Sequence, residues 1–249
     1  MKNSFFCKNS SVYLYERPSH KSKISSQILY GEKFKILLKN KNWLKIKTSF
    51  DGYIGYVKKI NYVNEFKPTH KIKKIFATIY KKPNRNSKIK KKLSFCSFIS
   101  VKKKEKNFYK FDNYWIEKKD VAPINKTENI FSKIKIFKNV KYKWGGTSFK
   151  GIDCSALVQI FYKYNSQFCP RDTKDQIKYF KKNAKINNLK KNNLIFWKGH
   201  VAICLSKNNL IHAYGPKKKV LIMNTKKTIE EIKTKSKLKI KSIKKNGSN

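Results

Sequence analysis

Across 249 residues the composition is 39 % hydrophobic and 14 % aromatic, which is enough for a packed core in one large domain or two to three small ones. The formal net charge is +47, and all but three of the 61 basic residues are lysine. No segment reaches the ~18–20 consecutive apolar residues of a helical membrane span, which excludes that class.

A surface this basic would attract nucleic acid, anionic lipid or an anionic polymer. Arginine, whose planar fork suits phosphate, occurs only as Arg17, Arg85 and Arg171. With Asn, Ile, Phe and Tyr also abundant, the lysine excess reads as a coding bias spread over the surface, and no specific nucleic-acid partner is expected. The cysteines are Cys7, Cys96, Cys154, Cys169 and Cys204, an odd number with no C-x-x-C pair. Neither a metal site nor a redox couple is therefore expected; free thiols in a reducing compartment are. Met1–Asn9 holds no apolar run of signal-peptide length. That points to the cytoplasm, with a periplasmic or wall-associated location as the alternative.

In chain order, the first half contains an internal repeat. Tyr13–Pro18 and Lys23-Ile24 match Thr78–Pro83 and Lys88-Ile89 at an offset of 65, which persists to Phe34/Ile99, Ile36/Val101 and Trp43/Phe108. Beyond that the second copy is shorter, and Gly55-Tyr56-Val57 corresponds to Tyr114-Trp115-Ile116. Each copy reads as short alternating strands, such as Phe34–Leu38, Trp43–Lys47 and Tyr53–Val57, separated by turns at Asn40–Asn42 and Asp51-Gly52. Units of this size with no helix suggest two small barrels. They resemble bacterial SH-three-like domains.

From Pro123 helical periodicity takes over. Thr127 is placed to cap a helix with Ile130, Phe131, Ile134 and Phe137 on one face. A Trp144-Gly145-Gly146 loop precedes a helix over Asp153–Tyr164, where Leu157, Val158, Phe161 and Tyr162 have helical spacing. Thr173-x-x-Gln176 is a capping-box pattern opening a third helix. Strands are expected at Leu194–Trp197, His200–Leu205, Leu210–Tyr214 and Val220–Met223, then a helix opened by Thr228-x-x-Glu231 and a frayed end after Ser236.

The chemistry converges on Cys154. A thiol attacks a carbonyl only as thiolate, and a free thiol at about 8.5 is mostly protonated at neutral pH. A helix N-terminus and a nearby imidazolium lower that value, and Cys154 is placed for both. Gly145, Gly146 and Gly151 would let the backbone approach a substrate. His200 opens a strand on which Ala202 and Cys204 share its face. His212, on the next strand, would hold the His200 ring as the third member of a triad. For the two to be direct neighbours the hairpin must centre near Ser206, a register the sequence leaves open.

Tyr142-x-Trp144-Gly145-Gly146, Asp153-Cys154-Ser155, Pro170–Thr173 with Gln176, Phe196-Trp197-x-Gly199-His200-Val201 and Ile211-His212-Ala213 occur in the order seen in the NlpC / p-sixty family of cell-wall cysteine peptidases. Residues 127–235 resemble that family, and paired SH-three-like domains are its common companions. The resemblance implies hydrolysis of γ-D-glutamyl bonds to a diamino acid in peptidoglycan stem peptides. It makes Cys154 the nucleophile, His200 the base, His212 its orienting partner and Tyr142 an oxyanion donor beside the Cys154 N–H. Asp153, Ser155 and Trp144 would contact substrate, Asp153 being either an amine anchor or a helix N-cap. Two departures stand out: Ala156 follows Asp-Cys-Ser where glycine is usual, and Asn192-Asn193 replaces Gly-Asp, losing a charge and a turn contact. Arg171 is expected to be a planar fork in a buried ion pair that lysine could not replace.

The resulting expectation is an α+β protein: SH-three-like barrels at 1–66 and 67–124, then a papain-like peptidase domain at 125–249, using no cofactor. Its partner would be peptidoglycan or a muropeptide. Two alternatives have different chemistry: a catalytically weak binder of peptidoglycan or another polyanion, and a thiol amidase or acyltransferase using the same triad.

Overall fold

The computed structural model describes residues 4–40 and 42–247. Lys41, within the turn expected at Asn40–Asn42, and residues 1–3, at the start of the segment read for a leader, lie outside the described residues. The chain forms two compact units, one of Met1–Thr127 with Trp144–Phe149, the other of Glu128–Lys143 with Lys150–Asn249.

The first unit is all β. Its first seven strands are β1 (Ser4–Cys7), β2 (Ser11–Tyr15), β3 (Ile24–Leu29), β4 (Lys33–Asn40), β5 (Trp43–Thr48), β6 (Ile54–Val57) and β7 (Tyr62–Val63). They pair in the order β3-β2-β6-β5-β4-β1-β7. The next eight are β8 (His70–Ile72), β9 (Phe76–Tyr80), β10 (Lys88–Ser94), β11 (Phe98–Ile99), β12 (Lys103–Glu105), β13 (Phe108–Phe111), β14 (Tyr114–Glu117) and β15 (Val121–Pro123). They pair as β10-β9-β14-β13-β12 and β11-β8-β15. The two orders are the same once β11 and β12 are taken as the two ends of one strand, the counterpart of β4. In β4 the chain stays continuous through a register shift between Ile36 and Leu38; at the matching place in the second copy it breaks.

The two cores follow the same offset. Cys7, Leu14, Ile28, Phe34 and Ile46 are fully buried in the first, and Ile72, Ile79, Leu93, Ile99 and Phe111, each 65 residues later, are fully buried in the second. Val57 and Ile116 close the two sets. Gly31 shows why one position cannot carry a side chain. Its φ is +78°, and a Cβ there would lie 2.2 Å from the carbonyl oxygen of Phe98. The Phe98 N–H donates to the Tyr30 carbonyl at 2.9 Å, and Tyr30 itself packs into the second core. Its counterpart in the repeat, Cys96, is also left-handed, at φ 64°.

Residues 144–149 belong to this unit. Short strand β16 (Thr147–Ser148) lies against β3, and the Thr147 N–H donates to Gln27 Oε1 at 2.7 Å. Gly145 has φ +70°, and a Cβ on it would be 2.6 Å from Ile24 Cγ2. The glycine expected to make room for substrate makes room for Ile24.

The second unit is α+β. It holds β17 (Gly151–Ile152), α1 (Cys154–Tyr164), α2 (Thr173–Tyr179), β18 (Leu194–Trp197), β19 (His200–Cys204), β20 (Asn209–Tyr214), β21 (Lys219–Asn224), α3 (Thr225–Ser236) and β22 (Ser242–Lys244). The sheet order is β21-β20-β19-β18-β22. Every residue of α1 is buried. Burying Leu157, Val158, Ile160 and Phe161 contributes ~1.5–3 kcal/mol each, which anchors the helix that carries Cys154. None of the described helices is long and apolar enough to cross a membrane.

Four local expectations are corrected. The helix expected after Thr127 is only a 3-10 turn, Ile134–Phe137, because Phe131 takes a left-handed φ of 65°; Phe131, Ile134 and Phe137 are nonetheless buried. Gln176 closes no capping box: Asp172 is the N-cap of α2, and Gln176 Nε2 donates to the carbonyls of Ser155 and Pro170, both at 2.9 Å. α3 starts before Thr228, with Asn224 accepting the Lys227 N–H at 3.1 Å. The chain after Ser236 is not frayed: β22 pairs with β18 and buries Ile243.

Candidate active site

The site is assembled from the start of α1 and the middle of the sheet. Asp153 is the N-cap, its Oδ1 accepting the Ala156 N–H at 2.8 Å, so Cys154 begins the helix where unpaired N–H groups converge. The β18–β19 hairpin turns through Lys198 and Gly199, with Trp197 paired to His200 and Gly199 at φ 73°. This turn brings the Gly199 carbonyl to 3.9 Å from Cys154 Sγ, and the Val201 N–H is directed at the same sulfur.

His200 Nε2 lies 2.9 Å from His212 Nδ1. The register places the β19–β20 hairpin one residue beyond Ser206: Ile203 pairs with Ile211 and Cys204 with Leu210. The histidines are thus diagonal rather than opposite, and still meet. Tyr214 stacks on His212 at 4.6 Å and 14°, and Trp197 lies 5.5 Å from His200. The other nitrogen of fully buried His212 faces Met223 Sδ at 3.3 Å. The sequence motifs single out neither Tyr214 nor Met223. Tyr214 shares a strand face with His212, a signal that could have found it; Met223 reaches the ring only through the β20–β21 pairing.

Around Asp153 a buried network forms. Arg171, 3 % exposed, donates Nη1 to Asp153 Oδ1 (3.0 Å) and Ser155 Oγ (2.9 Å), and Nη2 to Asp153 Oδ2 (2.6 Å). Arg171 is the buried fork expected from its isolation in the sequence. Asp153 is cap and ion-pair partner at once, and Ser155 is held between it and Arg171.

The electrostatics differ from expectation. Burial pushes the Cys154 thiol up to about 12, aided by the Asp153 charge and only partly opposed by the Val201 N–H, Arg171 and the Ser155 N–H. Burial pushes His200 down to about 4. His212 is driven well below its ordinary value, by burial first and then by His200 and Lys217. Desolvation by burial therefore favours the neutral thiol and the neutral imidazole, opposite to the lowering expected at a helix start. Tyr142 is raised by burial and by Cys154 and Asp153, so its hydroxyl stays a donor. Its ring lies beside Gly215, 3.5 Å from where a Cβ would be. Trp144 is 61 % exposed and lies in the segment packed with the first unit. All five cysteines are buried free thiols.

The two sequence departures cost little here. Ala156 supplies the capped N–H. Asn192 adopts the left-handed φ of 69° that glycine would take, and Asn193 Oδ1 accepts the Lys190 N–H at 2.8 Å, so the turn contact survives without the charge.

Residues 139–239 match the NlpC/P60 family, and residues 14–59 match the bacterial dipeptidyl-peptidase Sh3 domain. The chain is 27 % identical to a gamma-D-glutamyl-L-lysine dipeptidyl-peptidase of Bacillus subtilis over 84 % of its own length and 78 % of the relative's. It is 25 % identical to dipeptidyl-peptidase 6 of Lysinibacillus sphaericus over 80 % of this chain and 83 % of that protein. A crystal structure of an NlpC/P60 family protein from Bacillus cereus superposes with TM-score 0.78 at 21 % identity, covering 89 % of this chain and 94 % of that one.

Proposed function

We propose that this cysteine peptidase, whose residues 139–239 form an NlpC/P60 domain, hydrolyses the γ-D-glutamyl bond to a diamino acid in peptidoglycan stem peptides. The observation that carries the reading is the His200–His212 pair, its nitrogens 2.9 Å apart, with His200 in the Gly199–Val201 turn against which the Cys154 sulfur lies. His200 Nδ1 takes the thiol proton, and the thiolate attacks the γ-carbonyl carbon. The Cys154 N–H and the Tyr142 hydroxyl stabilise the oxyanion. His200 returns the proton to the amine of the departing diamino acid. Water then hydrolyses the thioester, its proton passing through His200 and back to the sulfur. Moving one proton between two neutral groups suits a buried site, since the charged pair exists only when substrate is present.

Arg171 holds Asp153 and Ser155 at the mouth of α1, where we place the N-terminal end of the peptide. Trp144 is assigned to substrate on the family pattern alone. Residues 67–124 are read as a second SH-three-like domain beside the first at 1–66, supported by the shared strand order and the 65-residue core offset, with the peptidase domain at 125–249. The deciding experiment incubates wild type and Cys154→Ala with L-Ala-γ-D-Glu-diaminopimelate peptide and with intact sacculi. Release of L-Ala-γ-D-Glu by wild type alone is the expected result. Absence of any cleavage, with retention on sacculi, would replace the peptidase reading by a binding one; thioester formation without peptide cleavage would favour an amidase or acyltransferase.

A further inference from the structure

Resting on the peptidase reading, we propose that Met223 is a positioning residue: its thioether accepts the Nε2–H of His212 and so holds that ring in the tautomer that lets His200 act as base. His212 Nε2 lies 3.3 Å from Met223 Sδ, and His212 Nδ1 lies 2.9 Å from His200 Nε2. A thioether has lone pairs but no proton, so it makes a hydrogen bond only with a nitrogen that carries hydrogen. A neutral imidazole has one N–H. With that hydrogen on His212 Nε2, Nδ1 is a bare acceptor facing His200. His200 must then carry its own hydrogen on Nε2, which leaves Nδ1 free for the thiol proton. In the opposite tautomer the His212 Nδ1–H would point at His200 Nε2, push the His200 hydrogen to Nδ1, and leave the thiol proton no acceptor. One group that cannot donate thus orients the whole line.

The placement of Met223 fits this role. Leu210 pairs with Met223 and His212 with Leu221 across β20 and β21, so Met223 is a diagonal neighbour of His212 on the same sheet face. Met223 packs partly buried against the core cluster that includes Tyr214 and Ala202. The titratable or charged groups around His212 are His200 on β19, Tyr214 on β20 and Lys217 beyond it. Lys217 is paired with Glu231 of α3 at 3.4 Å. No carboxylate acts on the His212 ring among these described neighbours, so the task of a triad carboxylate is divided: His212 supplies the acceptor and Met223 fixes its polarity without favouring a charged ring.

The test uses the full chain labelled with 15N-histidine; four histidines are few enough to resolve. The wild type is expected to show His212 with Nε2 protonated and Nδ1 bare. Met223→Leu keeps the volume and removes the acceptor. It should shift His212 towards the Nδ1–H form and lower kcat about fivefold, the weight of one modest hydrogen bond, with KM and Tm close to wild type. Met223→Gln offers an amide oxygen at similar reach and should restore the tautomer and most of kcat, even at a lower Tm. A methionine that merely packs would give the reverse order, with leucine active and glutamine impaired. His212 protonated on Nδ1 in the wild type, or an unchanged tautomer in Met223→Leu, overturns the proposal. The tautomer is read without turnover, so failure of the peptidase reading leaves this outcome separately decidable.

Discussion

Arg171 binds both oxygens of Asp153 and the hydroxyl of Ser155 inside the protein, and three hydrogen bonds to charged or buried groups depend on its planar geometry. Arg171→Lys should cost about 1–3 kcal/mol of unfolding free energy, because an ammonium cannot reproduce the fork. Arg171→Met should cost more, about 3–5 kcal/mol, because Asp153 is left as an uncompensated buried charge. Urea melts of the two variants check the order; equal stability of Arg171→Lys and wild type would contradict it. At the same scale, His200 sits at about 4 against an ordinary 6.5. The unfolded chain protonates first as pH falls, so stability is full above about 6.5 and is lost progressively down to about 4, amounting to roughly 3 kcal/mol from this group. The difference between wild-type and His200→Asn melts at pH 7 and pH 4.5 isolates it. For activity, the neutral thiol and imidazole persist between about 4 and about 12, so kcat/KM should be flat across neutral pH, with its acid limb well below 6.5. Cys154, His200 and His212 are legible in the sequence because each stands in a short local pattern. Their protonation states are not, since burial depends on residues far away in the chain.

The β18–β19 hairpin is the element on which the geometry turns. Gly199 has φ 73°, and a Cβ added there would meet no atom within 4 Å, so its requirement is conformational rather than spatial. Gly199→Ala should cost about 1–2 kcal/mol and, by displacing His200, lower kcat at least tenfold while changing KM less. Steady-state kinetics beside a melting curve separate the two effects. Strands are legible in this region because alternation and the Gly199 turn are local. Helix starts are less so. Gln176 has a capping-box spacing, but its amide is drawn off by the Ser155 and Pro170 carbonyls. The segment around Phe131 has helical periodicity, yet its residues reach the core from a turn with a left-handed backbone. Periodicity reports which residues become buried; it does not say whether a regular helix or an irregular turn presents them.

At the scale of the whole molecule, the repeat in the first unit is carried by core positions and strand order rather than by residue identity. Gly31→Ala tests how tightly the copies are fitted: both the left-handed φ and the approach to Phe98 forbid a Cβ, so the all-β unit should lose several kcal/mol, measurable by calorimetry, without a change of substrate class. The formal charge of +47 gives a second expectation. Like-charge repulsion opposes the compact state, and salt screens it, so Tm should rise as ionic strength goes from about 0.02 to about 0.5 M. A Tm independent of salt would mean that the lysines are already neutralised by bound anions. The amino-acid sequence alone determined the α+β class, the internal repeat and the cysteine and histidine motifs from which the candidate site is read, because those depend on spacing and side-chain chemistry along short stretches. Tertiary structure decided the diagonal meeting of His200 with His212, the use of Gly145 against Ile24, the Arg171–Asp153 pair and the Met223 contact. Each of these joins residues brought together only when sheet register and burial are set, and both are properties of the folded chain as a whole.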